Sequence, residues 1–280
     1  MERGLVAGYV PCGLVDGPGS RFVLFLQGCN MMCFTCHNYY TRGTCVNCGS
    51  CVKVCPTGAL AMVDGKRVYR RDKCIECDAC LDACPHSANP RAMVMDVQEV
   101  IDLIAPYNSY LSGVTLSGGE ATCQWQFVEA VARECGQQLN LPVLLDSNGK
   151  AEASVWDSLL PVLEGVLLDI KAVEPDLHRR LTGCDNSLVL ESLEKIHGVG
   201  KLVEVRHLLI PGFTTDQEHF AQLCRLVAGL SPQPTLRLQA YSNRRVTGKA
   251  KEVPSLSKDE LAKFVQLAGE LAVTRVLINS

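Results

Sequence analysis

Apolar and polar positions along this chain fall into two different rhythms, with a stretch between them that follows neither. Residues 20–27 (Ser-Arg-Phe-Val-Leu-Phe-Leu-Gln) form a short, largely apolar run closed by Gly28, which predicts a buried strand. Beyond residue 92, helical spacing alternates with short continuous apolar runs. Helices are predicted over about 96–105, 124–138, 153–162, 176–181, 187–197 and 216–230, with strands at 114–117, 143–146, 166–170, 202–210 and 236–239. Asp96 is placed to cap the first of these helices. Ser257 and Glu260 form a capping box for the last helix, which runs into a strand at 275–278. Repeated βα units of this kind predict a parallel sheet, open or closed into a barrel. In such folds the chemistry lies beyond the C-terminal ends of the strands.

Residues 41–92 lack that alternation. They are rich in Cys and Pro, and they repeat the pattern Cys-x2-Cys-x2-Cys-x3-Cys-Pro at 45–56 and at 74–85. A composition shift with its own repeat predicts an inserted domain of about fifty residues, leaving 1–40 and 93–280 as the main domain. The bulk numbers narrow the class. With 280 residues, 47% apolar and 20% charged, the chain suits a globular protein with a sizeable core. A net charge of −3 gives no reason to expect a nucleic acid or an anionic membrane as partner. The longest apolar stretches, such as 162–170, are interrupted by Glu164 and Asp169 and are too short to span a bilayer. The first ten residues lack the charged and apolar regions of a signal peptide, so a cytoplasmic location is expected.

Sixteen cysteines change the picture most, because eleven of them fall between Cys29 and Cys84. In a cytosolic chain that clustering points to metal rather than to disulfides. Cys29-x3-Cys33-x2-Cys36 follows directly on the first predicted strand. Three thiolates on a short loop can hold three irons of a 4Fe–4S cluster and leave the fourth iron open. The alternative is zinc, which is usually closed by four ligands. His37 could be the fourth, although beside Cys36 it would strain to share the ion. The two repeats predict two further 4Fe–4S clusters, with the fourth cysteine of each block ligating the other block's cluster. That assigns Cys45, Cys48, Cys51 and Cys84 to one cluster, and Cys74, Cys77, Cys80 and Cys55 to the second. Pro56 and Pro85 complete the ferredoxin pattern and weigh against zinc. Such a pair could relay electrons or serve as structural staples. Cys12, Cys123, Cys135, Cys184 and Cys224 are scattered and are expected to act as small apolar residues.

Cys29-x3-Cys33-x2-Cys36 resembles the signature of the radical S-adenosylmethionine (SAM) superfamily. Its flanks, Val15-Asp16-Gly17-Pro18-Gly19-Ser20-Arg21 and Cys36-His37-Asn38, resemble the activating enzymes of glycyl radical enzymes. That group includes the pyruvate formate-lyase activating enzyme, and the resemblance comes closest to the YjjW-type activases. It implies an α/β fold: a partial (β/α)6 radical SAM barrel carrying an inserted bacterial ferredoxin-like two-cluster domain. The open iron would chelate SAM, with Thr35, Cys36, His37 and Asn38 lining the cofactor. Ser117-Gly118-Gly119-Glu120 resembles the family motif for the methionyl amino group, although Gly-Gly-Glu alone is more often a plain turn. Asp146, Ser147 and Asn148 end one strand and Asp169 the next, and the two aspartates could hold a monovalent cation. Lys171 would meet the SAM carboxylate, and Arg206 matches a SAM-proximal arginine. Singly, each of these reads as a solvated charge at a strand end; their succession in family order reverses that reading.

The sequence departs from the family at Ser242, where a histidine is often found, and Tyr241 or Asn243 could substitute for it. His178, His197, His207 and His219 are expected to be structural or surface residues. The implied reaction is reductive cleavage of SAM to a 5′-deoxyadenosyl radical that abstracts a glycine α-hydrogen from a partner glycyl radical enzyme. A flavodoxin- or ferredoxin-type protein would supply the electron. Two rival readings are a radical SAM enzyme acting on a small metabolite or on anaerobic ribonucleotide reductase, and a ferredoxin-type electron carrier. The carrier reading leaves Cys29–Cys36, Gly118–Glu120 and Lys171 without a purpose.

Overall fold

A computed structural model describes residues 2–279, and the chain divides into two compact units. The first contains the residues up to Asn30 together with Asn38–Pro142, and the second contains Met31–His37 and the chain from Val143 onward. The architecture is α/β with mostly parallel strands.

The first unit holds β1 (Arg3–Gly13), β2 (Arg21–Leu26), β3 (Leu60–Val63), β4 (Lys66–Tyr69), β5 (Met93–Asp96) and β6 (Gly113–Gly118). Its main sheet runs β6-β2-β1-β5, with β2 parallel to β6 and β1 antiparallel to both β2 and β5. Phe22, Val23, Leu24 and Leu26 of β2 are all fully buried, which is why this strand reads as a continuous apolar run rather than an alternation. Two longer helices cover the sheet, α3 (Val97–Ile104) and α4 (Trp125–Leu139). Asp96 and Glu99 form a reciprocal capping box at the start of α3, which buries Val97, Val100, Ile101 and Ile104 on one stripe.

Residues 41–92 carry the hairpin of β3 and β4 and two single-turn helices, α1 (Ser50–Lys53) and α2 (Ala79–Asp82). Cys51, Leu60, Cys80 and Leu81 form a small core of their own there. The sequence repeat is also a backbone repeat. Asn47, Gly49 and Gly58 have positive φ in the first copy, and Glu76, Asp78 and Ser87 have positive φ at the same three offsets in the second. Such left-handed turns curl the chain so that successive N–H groups face inward, the arrangement known from Fe–S and phosphate sites.

The second unit holds β7 (Val143–Ser147), β8 (Gly165–Asp169), β9 (Leu202–Leu209), β10 (Thr235–Ala240) and β11 (Val276–Asn279), each parallel to its neighbours in chain order. Its helices are α5 (Ala153–Leu159), α6 (Pro175–Thr182), α7 (Ser187–Gly198), α8 (Gln217–Ala228) and α9 (Lys258–Glu270). Glu174 opens α6 by accepting from the N–H groups of Asp176 and Leu177, Asp216 opens α8, and Ser257 with Glu260 caps α9 as expected. Among the described residues no helix is long and apolar enough to cross a membrane.

Four strands, β1, β5 and the hairpin pair β3 and β4, were not expected, nor were the short helices α1 and α2. β1 includes Gly4, Gly8, Pro11 and Gly13 and shows no regular burial alternation, so neighbours rather than propensity make it a strand. Arg21, at the start of β2, is likewise structural. It is 1% exposed. Its Nε donates to Thr115 Oγ1 at 2.9 Å and its guanidinium to the carbonyls of Val114 (2.9 Å), Pro142 (3.2 Å) and Pro18 (3.4 Å). One side chain thus ties the Gly-Pro-Gly turn to the edges of β2 and β6. Arg21→Met removes these four hydrogen bonds and is expected to lower stability by about 3 kcal/mol. A denaturant midpoint within error of the parent would show that this arginine does not hold the turn.

Candidate functional site

In the first unit, the turn after β6 is built by close backbone contact. Gly118 has φ +130°, and a Cβ there would stand 2.2 Å from Leu26 N and O; at Gly119 it would stand 2.3 Å from Gly28 O and 2.6 Å from Thr41 O. This closeness lets Gly119 N donate to Leu26 O and Glu120 N to Gly28 O, at 2.9 and 2.8 Å. On the other side, Gly28 N donates to Thr41 O (2.7 Å) and Cys29 N to Arg42 O (2.9 Å). Gln27 reinforces the turn by donating to the Tyr40 and Gly43 carbonyls. Glu120 is buried, and its Oε1 accepts from Thr122 N (3.0 Å) and Thr122 Oγ1 (2.7 Å). Asn38, just beyond the cysteine loop, offers its carbonyl to Thr41 N and Oγ1.

The same unit contains two small cavities. One is lined by Cys45, Cys48, Cys51 and Cys84, the other by Cys55, Cys74, Cys77 and Cys80. Each cavity therefore takes three cysteines from one repeat and one from the other. Asn47 N donates to Cys45 Sγ at 3.4 Å. Burial pushes the Cys80 thiol up to about 11 and raises Cys51, whereas hydrogen bonds from Ser50 lower Cys48. Among the described residues no three His, Cys, Asp or Glu side chains are grouped so as to hold a single metal ion.

In the second unit, Met31–His37 packs against α6: Met32 N donates to Thr182 O (2.8 Å) and Phe34 N to Leu181 O (2.7 Å). Thr35 is buried. Burial pushes the Cys33 thiol up to about 11, while the Lys171 ammonium pulls the other way and Cys36, Asp169 and Cys184 add to the rise. Lys171 Nζ lies 2.5 Å from Asp169 Oδ2. Burial works against the Lys171 charge, but Asp169, Cys33 and Asp146 together raise its pKa above the ordinary lysine value. Cys33, Asp146, Asp169 and Lys171 thus share one electrostatic neighbourhood. Ser147 and Asn148 are buried at the end of β7, where Ser147 Oγ accepts from Gly149 N and Asn148 Oδ1 from Lys150 N. Arg206 lies 3.2 Å from both Asp146 and Glu204, and Glu204 also accepts from Arg237 at 2.6 and 2.7 Å.

Glu204 and Arg237 carry no motif and were missed in the sequence. For Glu204 the available signal was a carboxylate two residues before Arg206 in the 202–210 strand. His37 Nε2 lies 2.8 Å from Ser242 O and its ring 6.1 Å from that of Tyr241, so the Tyr241–Ser242 stretch faces a histidine from the cysteine loop. Tyr241 is 1% exposed and donates to Ala250 O inside an apolar cluster, and Asn243 bonds Ser255. His207 is structural: it is bonded through Nδ1 to Ile170 O (2.7 Å), and burial pushes it down to about 4. Cys135 and Cys224 are buried as expected, but Cys12 and Cys123 are exposed and do not behave as small apolar residues.

The radical SAM superfamily model matches residues 23–224, and the chain belongs to that superfamily. It is an enzyme of that class. It is 32% identical to the trans-4-hydroxy-L-proline dehydratase activating enzyme of Clostridioides difficile, over 85% of this chain and 82% of the relative. It is 31% identical to the pyruvate formate-lyase-activating enzyme of Streptococcus mutans, over 85% of this chain and 77% of that one. The crystal structure of QueE from Escherichia coli shares its fold with a TM-score of 0.55 at 12% identity, covering 99% of this chain and 94% of that one.

Glu204 sits between two arginines, and it is the residue whose loss is easiest to measure. Burial raises its pKa, but the hydrogen bonds and charges of Arg237 and Arg206 outweigh that and hold it below the ordinary 4.5. A depressed carboxylate stabilises the fold above its unfolded pKa, and that contribution is lost as pH falls through the folded value. Glu204→Gln is expected to lower stability by about 3 kcal/mol near neutral pH, with the difference shrinking below about pH 4.5. Denaturation midpoints of parent and variant across that range would show it; a difference independent of pH would refute the assignment.

Proposed function

We propose that this enzyme is an activating enzyme for a glycyl radical enzyme. The observation that carries the reading is the grouping of Cys33 with Asp169, Lys171 and Asp146 in one electrostatic neighbourhood, in a chain 32% identical to such an activase. Cys29, Cys33 and Cys36 would hold three irons of one 4Fe–4S cluster. When bound, that cluster supplies through its open iron the electron that cleaves SAM to methionine and the 5′-deoxyadenosyl radical, which takes the glycine α-hydrogen of the partner. The chain's own part is binding, orientation and exclusion of water from a radical that would attack any nearby C–H bond. Lys171 offers an ammonium to the SAM carboxylate, and Asp169 keeps that ammonium charged and fixed. Glu120, with Gly118 and Gly119 as the close-packed turn beneath it, answers the methionyl amino group. Thr35, Cys36, His37, Asn38, Ser147, Asn148 and Arg206 complete the cofactor surroundings, and Asp146 with Asp169 offers oxygens to a monovalent cation.

The finer architecture in this reading is a partial (β/α)6 barrel with residues 41–92 as a ferredoxin-like insert. Two cavities that each present four cysteines and inward-curling backbone support two further 4Fe–4S clusters there. Thiols held protonated by burial, such as Cys80, would lose their protons on binding iron. Such clusters would pass electrons from a flavodoxin- or ferredoxin-type donor. The dependence on reduced thiolates and an open iron fits the cytoplasm.

The test is 5′-deoxyadenosine release by anaerobically reconstituted protein given SAM and dithionite, beside a variant with Cys29, Cys33 and Cys36 all changed to Ala. Product is expected from the parent and none from the variant, and a candidate glycyl radical enzyme added to the parent should acquire a carbon-centred radical visible by EPR. Product without a radical on any such partner would favour a small-metabolite substrate. No product from fully loaded parent with partner present would favour an electron carrier.

A further inference from the structure

The two cysteine cavities differ in how their arginine is held. Arg91 lines the cavity of Cys55, Cys74, Cys77 and Cys80, and an ion pair with Asp78 at 2.7 Å offsets its charge. Arg67 lines the cavity of Cys45, Cys48, Cys51 and Cys84. Its terminal nitrogens donate to backbone carbonyls, one to Pro90 and the other to Ala92 at 3.0 Å, and no carboxylate among the described residues bonds to it. Its Nε is buried without a partner among the described residues. Arg67 N donates to Asn47 Oδ1 at 2.8 Å, which ties β4 to the loop between Cys45 and Cys48. A guanidinium fixed on two sides, uncompensated in charge and with one buried donor left over, is a costly arrangement unless something in the cavity accepts.

Resting on the cluster reading above, we infer that Arg67 hydrogen-bonds the cluster held by Cys45, Cys48, Cys51 and Cys84 and raises its reduction potential. The acceptor is a cysteine thiolate or a cluster sulfide. Each reduction adds one electron and one negative charge to the cluster, and a nearby cation with an N–H donor stabilises that reduced state. Arg67 is a positioning and tuning residue; it touches no substrate.

The experiment is a dithionite potentiometric titration followed by EPR, on anaerobically reconstituted full-length parent, Arg67→Gln and Arg67→Lys, with iron counted in each. The parent should carry about twelve irons per chain. In Arg67→Gln one reduction step should move to lower potential by at least tenfold in its reduction equilibrium, about 59 mV for a one-electron couple, with the other steps unmoved. Arg67→Lys, which keeps the charge but has no Nε–H, should shift the same step by less. A fully loaded Arg67→Gln with every step unmoved overturns the inference. If Arg67→Gln fails to load, Arg67→Lys decides: a lowered step sustains the inference and an unmoved one overturns it. A parent with about four irons overturns the two-cluster reading and this inference with it, while dithionite-driven release of 5′-deoxyadenosine would leave the activase reading standing.

Discussion

The first unit depends on one close approach of main chain to main chain. Gly119 can lie against Gly28 and Thr41 only because it has no side chain, since a single added carbon would sit well inside contact distance of both carbonyls. Given that approach, residues 26–29 are hydrogen-bonded from two sides, by the turn after β6 and by residues 41–42 at the start of the cysteine-rich stretch. The position of Cys29 is therefore set by backbone bonds rather than by side-chain packing. Backbone bonds are short and directional, so they fix the main chain at Cys29.

The second unit solves a different problem, that of charge inside a parallel sheet. Arg206 on β9 and Arg237 on β10 occupy directly paired register positions, where two cations would repel. Glu204, two residues before Arg206 on the same strand, answers both, and Asp146 at the end of β7 takes the far side of Arg206. Asp169 at the end of β8 pairs with Lys171 just beyond it, so each of these cations lies against a carboxylate. Buried ion pairs of this kind add little to stability over apolar packing, but removing one member is expensive, so the arrangement resists piecemeal change.

Much of this was legible in the sequence. The apolar run of β2, the βα alternation after residue 92 and the caps at Asp96 and Ser257 all carry local signals, and local signals survive folding. The cysteine spacings also fixed which four residues line each cavity of the insert, because the crossed pattern is a property of chain connectivity. What could not be read is what depends on distant partners. β1 is a strand because β2 and β5 flank it, despite its glycines. Arg21 reads as the tail of a Gly-Pro-Gly motif, and only the fold shows it clasping three carbonyls and a hydroxyl. Glu204 and Arg237 lie in different strands and meet only across the ladder. The exposure of Cys12 and Cys123 is equally invisible to composition.

The crossed lining of the two cavities makes the repeats of residues 41–92 mutually dependent. Neither copy of the twelve-residue pattern encloses four cysteines by itself; each lends its last cysteine to the other and borrows one in return. A half-insert would lack a four-cysteine pocket altogether, so the sites exist only in the pair. In that sense the two copies are one module.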